Sequence, residues 1–289
     1  MKKVILSLSS ALIVVYMILA GLGLGKEYEA EKLFYRAMKK NAKIAVNPDV
    51  APPALLQSIE DDLLRLLKKY PKAGVTKGAG LALAEFYIAN KNYDKALSRL
   101  DEVMRSYAKD PAMMSMALFL KGVAYERQDK WDKAVEQFTT LKDTYTNTEL
   151  GLKTPLYIGR HYEIKGDSSQ AKKAYTDAAL YYDKLRKKHS RKLLGFASST
   201  SLMHTYLKLE EYAKAGTVLK EIVKEYPAPN ITLRLLPYVD LIFIAKLNSP
   251  DQAIEIYKDV KSKVKSKKIT DALQRKIEKL EKKPQNVKI

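Results

Sequence analysis

The stretch Ala117–Tyr145 reads ALFLKGVAYERQDKWDKAVEQFTTLKDTY. Gly122 and Tyr125 are three residues apart and so share one face of a first helix. Ala134 and Phe138, four apart, continue an apolar stripe on a second helix. A small residue on the first helix and an alanine on the second let the two approach closely. The stretch therefore reads as a helical hairpin, and one hairpin alone cannot bury both of its faces.

Working outward, the alanine recurs as Ala96, Ala134, Ala171, Ala215 and Ala253, at spacings of 38, 37, 44 and 38. Nine residues before each of the first four stands a tyrosine: Tyr87, Tyr125, Tyr162, Tyr206. Eleven residues after each of the same four stands another: Tyr107, Tyr145, Tyr182, Tyr226. An aromatic precedes the alanine by three in Tyr93, Trp131 and Tyr212, and Ser168 breaks that pattern. Ala84, Gly122, Gly159 and Met203 stand three before the first tyrosine, and Leu100, Phe138, Tyr175 and Leu219 four after the alanine. The closing tyrosine marks the end of each second helix. Proline follows it at Tyr226-Pro227 and, in an earlier unit, at Tyr70-Pro71. Self-similarity at this period is the mark of a stacked repeat.

These positions resemble the tetratricopeptide repeat family, best over Ala117–Tyr145 and across roughly residues 27–282. The long units and Tyr-Pro endings are similar to those of bacterial envelope members, including the outer-membrane barrel-assembly lipoprotein and periplasmic coordinators of envelope synthesis. Glu29–Lys39, EAEKLFYRAMK, resembles the opening of such lipoproteins. The resemblance implies an all-α fold, a right-handed superhelical solenoid of hairpins, acting as a non-enzymatic scaffold for protein or peptide partners, a membrane complex among them. It further implies that first helices line a concave groove. In that register the inward positions are Leu81, Glu85 and Ile88; Phe119, Val123, Glu126 and Arg127; Leu156, Arg160 and Glu163; and Thr200, His204 and Lys208. Of these, Glu85, Phe119, Val123, Glu126, Arg127, Arg160, Glu163, His204 and Lys208 are the candidate protein-binding residues. Such a mixed groove suits an extended or helical peptide with apolar anchors. It lacks the lysine–asparagine pattern with which some family members clamp a C-terminal carboxylate.

The rest of the chain organises around the repeat. Residues 26–46 read as an amphipathic helix, 47–53 as a loop and 54–70 as a helix without a preceding partner of normal length. Fuller units occupy 76–108, 112–146, 153–190 and 195–226, and a linker spans 227–230. Residues 236–247 and 250–264 form a last hairpin, 269–282 a polar terminal helix that caps the stack, and 283–289 a loose basic tail. The repeat domain thus covers 26–282.

Before it, Lys2 and Lys3 precede an uncharged run of 22 residues, Val4–Gly25. A spanning helix needs roughly 20 apolar residues, and the leading lysines favour export of the chain from Lys26 onward. Residues 1–25 therefore read as a membrane anchor or a signal peptide; Gly23-Leu24-Gly25 would permit cleavage. The lipid bilayer is the partner expected for residues 4–25. Leu19-Ala20-Gly21 resembles the start of a lipobox, but Leu22 stands where cysteine is required. The expected location is the bacterial cell envelope, with the repeat domain in the periplasm or outside, or secreted to the periplasm after cleavage.

Composition narrows the chemistry. The chain of 289 residues is 46% hydrophobic and 29% charged, and it contains no cysteine, which excludes disulfides, thiolate metal sites and cysteine nucleophiles. His161, His189 and His204 do not have a zinc-helix spacing, and Gly74–Gly80 carries no phosphate-loop signature. No catalytic, cofactor-binding or metal site is expected. The net charge is +19, and much of it sits in two places. Lys184–Leu193 holds six basic residues and no acid, forming a candidate basic patch of Lys184, Arg186, Lys187, Lys188, Arg191 and Lys192. From Lys258 onward there are 12 basic and 4 acidic residues. These charges give an alternative function: binding an anionic polymer or membrane surface through the basic C-terminal region. Nucleic acid is not expected, because the chain reads as exported and lacks a stacking platform.

Overall fold

The computed structural model describes residues 24–44 and 51–282, and the described residues are helical throughout, without strands. They fall into two compact units, one ending at Gly151 and the other beginning at Leu152. The run Val4–Gly25 lies almost wholly outside the described residues, as does the tail 283–289. Among the described residues no helix is long and apolar enough to cross a membrane.

The first unit contains three hairpins: α1 (Leu24–Ile44) with α2 (Pro53–Lys69), α3 (Thr76–Ala89) with α4 (Tyr93–Ser106), and α5 (Pro111–Glu126) with α6 (Trp131–Thr144). Here the sequence reading needs correction. The helix after Pro53 does have a partner, because α1 packs along it through Ala30, Leu33 and Ala37. The clamp is Asp62 on α2, buried at 6% exposure, which accepts from Arg36 Nε at 2.8 Å and Lys40 Nζ at 2.6 Å. Burial opposes its ionisation, but those hydrogen bonds outweigh it and hold the carboxyl below its ordinary range.

The second unit holds α7 (Glu149–Ile164, from Leu152 on), α8 (Ser168–Lys188), α9 (Leu193–Lys208), α10 (Tyr212–Glu225), α11 (Pro229–Val239), α12 (Pro250–Lys263) and α13 (Lys267–Glu281). Asp240–Lys246 prolongs α11 in wider π-helical turns, three residues after Pro237, which cannot donate to the α-helical ladder. The spacing of 44 has a simple origin. α8 is 21 residues long where α4, α6 and α10 are 14, so Tyr182 no longer closes its helix and His189 does.

Elsewhere the closing tyrosine behaves as read: Tyr70, Tyr107, Tyr145 and Tyr226 are the C-caps of their helices. The five repeat alanines are all buried, and so are the residues four later, Leu100, Phe138, Tyr175, Leu219 and Tyr257. The small residue of the first helix faces that later position. A Cβ on Gly122 would lie 2.3 Å from the Phe138 ring, and one on Gly159 would lie 2.4 Å from Tyr175. Each glycine is thus the hole into which the ring of the second helix fits.

One regularity was not visible in residue types. Lys91, Asp129, Gly166, Glu210 and Asn248 all have positive φ, each five residues before a repeat alanine. They turn the chain within each hairpin. In the first four, the next residue donates its N–H to the carbonyl of the first tyrosine, as in Asn92 N to Tyr87 O at 2.8 Å. This is a Schellman closure of the first helix, so the tyrosine position is also a backbone acceptor.

Candidate functional site

The nine candidate groove residues are divided between the units: Glu85, Phe119, Val123, Glu126 and Arg127 in the first, Arg160, Glu163, His204 and Lys208 in the second. All lie on first helices or their ends, as the register expects: α3, α5, α7 and α9.

In the first unit, α3 and α5 pack side by side. Glu85 is exposed, yet loss of solvent around its carboxyl raises its pKa. Arg127 is exposed at the C-cap of α5. Phe119 is half-buried with its ring 5.8 Å from Phe138, which is itself 6.0 Å from Trp131. Phe119 therefore belongs in part to an aromatic core cluster rather than standing as an isolated anchor. Val123 is likewise half-buried against the core of this unit.

In the second unit the structure brings predicted residues together. Lys208 Nζ of α9 donates to Glu163 Oε1 of α7 at 2.9 Å and to Oε2 at 3.0 Å. Tyr175 Oη donates to the same carboxylate at 2.6 Å. The tyrosine hydrogen bond, then Lys208, then the nearby charge of Arg160 hold Glu163 below the ordinary carboxylate range. Arg160 itself is exposed. His204 lies half-buried with its ring 5.1 Å from Tyr238 on α11. Its Nε2 is buried without a hydrogen-bond partner, and burial lowers its pKa. At neutral pH it presents a neutral imidazole.

Sequence reasoning missed Tyr175, Tyr238 and the counterpart set Tyr257–Asp240–Lys276. There Tyr257 Oη and Lys276 Nζ both donate to Asp240. The available signal was chemical. Tyrosine replaces leucine or phenylalanine at the core position four after the alanine in hairpin α7–α8 and in the last hairpin, α11–α12, and a buried tyrosine hydroxyl needs a partner.

The basic patch is partly self-neutralised. Arg186 is ion-paired with Asp183, at 2.9 Å, and with Glu221, while Lys187 meets Asp183 at 2.6 Å. Lys184, Lys188, Arg191 and Lys192 are exposed around the end of α8, where cations also suit the helix dipole. Among the described residues no three His, Asp or Glu side chains are grouped to hold a metal.

These features define a class: stacked antiparallel helical hairpins with a buried alanine, a facing ring and a Schellman turn in register. Residues 116–148, the hairpin from which the reading began, match the tetratricopeptide repeat family, so the chain carries that repeat. No match to a curated protein is found. Among solved structures, the nearly identical tetratricopeptide-like repeats of Podosopora anserina are 16% identical, covering 67% of this chain and 93% of theirs, with a TM-score of 0.39. A tetratricopeptide repeat protein of Parabacteroides merdae is 12% identical over 86% of this chain and 98% of its own, with a TM-score of 0.28. The TPR2AB domain of yeast Sti1, in its complex with pHSP90, is 14% identical over 90% of this chain and 97% of its own, with a TM-score of 0.29. At such TM-scores the fold reading rests on the hairpins themselves and on the family match.

Proposed function

We propose that this chain is a non-enzymatic scaffold that binds protein partners along the inner faces of its first helices, arranged as a right-handed superhelical solenoid. The carrying observation is that inner-face side chains of successive first helices meet in the second unit: Glu163 with Lys208, and His204 with Tyr238. A surface on which the Glu163–Lys208 pair, the exposed Arg160 and the half-buried rings of His204 and Tyr238 lie together suits a peptide segment of mixed character. Tetratricopeptide repeats are in general protein–protein interaction scaffolds. The run Val4–Gly25 supports a membrane tether, which would hold the repeat domain on the exported side of a bacterial envelope.

Arg127 and Arg160 supply the test, since both are exposed and their reversal leaves the core untouched. Arg127→Glu with Arg160→Glu should leave the melting curve in place and remove partners recovered by in-cell cross-linking. If those partners survive this change and disappear instead with Lys188→Glu, Arg191→Glu and Lys192→Glu, the anionic-surface reading replaces the scaffold one.

A further inference from the structure

The strongest unassigned surface lies at the C-terminal end of the second unit, between α11 and α13. Leu236 of α11 and Ile269, Ala272 and Leu273 of α13 floor a solvent-open groove of about 570 Å³. Lys268, Arg275, Lys276 and Lys279 line it as well. These cations do not have equal roles. Lys276 is engaged by Asp240 and lies over the Tyr257 ring, 5.1 Å from its centroid, so it belongs to the packing of α13. Lys268, Arg275 and Lys279 are exposed and are not engaged in this way.

The helix period explains the layout. Positions 268, 272, 275 and 279 fall on one edge of α13 at spacings of four, three and four. Three carry cations, and Ala272 between them is small enough to leave the apolar floor open. None of the acids of the same helix, Asp271, Glu278 and Glu281, lines this groove: Glu278 faces a neighbouring shallow pocket with Arg275 and Lys279, and Glu281 is paired with Lys258. The apolar face one step further round, Leu273, Ile277 and Leu280, is buried in the core of the unit. Thus α13 is a structural cap whose free edge presents an apolar slot with a one-signed rim.

We infer that this groove binds an acidic peptide segment through one bulky apolar side chain. The apolar floor takes the side chain, and Lys268, Arg275 and Lys279 take carboxylates on either side of it. The dimensions fit a peptide. Lys268 and Lys279 are separated by about 16 Å of helix, at 1.5 Å per residue. That equals about five residues of extended chain at roughly 3.3 Å each. The slot is open along one helix edge and has room for a leucine or phenylalanine side chain. This inference rests on the scaffold reading but names a separate surface, outside the inner-face residues Arg160, Glu163, His204 and Lys208.

The test is a titration of the purified full chain, in neutral detergent, with a short fluorescent peptide in which glutamates flank a Leu-Phe pair. A control peptide has Ala-Ala in place of the pair, and phosphatidylglycerol vesicles form a third arm. The Leu-Phe peptide should bind, and Arg275→Glu with Lys279→Glu should weaken it at least about tenfold. Ala272→Glu, at an exposed position, should block the slot to a similar extent, with both variants melting as the parent does. Arg127→Glu with Arg160→Glu should leave this binding unchanged, so a failure of the inner-face reading is told apart from a failure here. Equal binding of both peptides would overturn the proposal, because the apolar floor would then contribute nothing. Vesicle binding sensitive to Arg275 and Lys279 without peptide binding would overturn it in favour of a membrane surface, and no binding in any arm would end it.

Discussion

Hairpin α5–α6 and hairpin α7–α8 use the same lock with one atom's difference. In the first, Phe138 fills the hole at Gly122 and is fully buried. In the second, Tyr175 fills the hole at Gly159, and its extra hydroxyl emerges beneath the first helix to meet Glu163. That carboxylate in turn holds Lys208 of the next first helix. A position that serves packing in one hairpin therefore also fixes an ion pair between successive first helices in the other. The last hairpin repeats the device with Tyr257, Asp240 and Lys276. The register specifies the core, and the residue chosen within it decides whether the core reaches the surface.

The largest effect should come from emptying the lock. Phe138→Ala removes a wholly buried ring and should cost about 3–5 kcal/mol in chemical denaturation. Trp131, half-buried at the start of α6, should cost less when replaced by alanine.

Filling the hole comes next. Gly122→Ala and Gly159→Ala both push a methyl group against a ring that has nowhere to go, and each should cost about 1–3 kcal/mol. Nearly equal losses would show that the two locks are the same device. A loss at one site alone would separate them.

Removing only the hydroxyl sharpens the difference. Tyr175→Phe should cost about 1 kcal/mol or less and should raise the Glu163 pKa toward its ordinary value, as followed by carboxyl NMR. The depressed pKa means that the Glu163 contribution is present above the unfolded carboxylate range and is lost as pH falls through the folded value. That acid-side loss should shrink in Tyr175→Phe and be unaffected in Phe138→Ala.

His204 gives the smallest signal, also confined to the second unit. Its folded pKa lies below the unfolded value of about 6.5, so the unfolded chain binds the extra proton. Stability should reach its plateau above about pH 6.5 and fall below it. His204→Phe should flatten that slope.

Much of this was legible before the fold. Ala96, Ala134 and Leu100 announce themselves by spacing, because buried positions tolerate few residue types and recur at the period of the hairpin. The turns were not legible: Lys91, Asp129 and Glu210 take positive φ without being glycine, since the Schellman hydrogen bonds around them impose the backbone. Nor was the pairing of α1 with α2, which depends on Asp62 meeting Arg36 and Lys40 across 26 and 22 residues of sequence. For the candidate site, the register of the resembled family singled out Glu163, Lys208 and His204 but could not show which would touch. Contacts such as His204 with Tyr238 arise only from stacking, and α8, with its additional turns, alters the spacing that leads into it. Likewise, charge counting put Arg186 in a docking patch, whereas Asp183 and Glu221 hold it within the fold.

The central claim is that the inner faces of the first helices, rather than the second helices, meet the partner. The direct measurement is in-cell photo-cross-linking from single positions of the full chain. A photoreactive phenylalanine analogue would replace Arg160 or Thr200 on first helices, or the exposed Thr217 on α10. The account predicts discrete partner adducts of the same mass from Arg160 and Thr200 and none from Thr217. Adducts from Thr217 alone, or from no position, would contradict it.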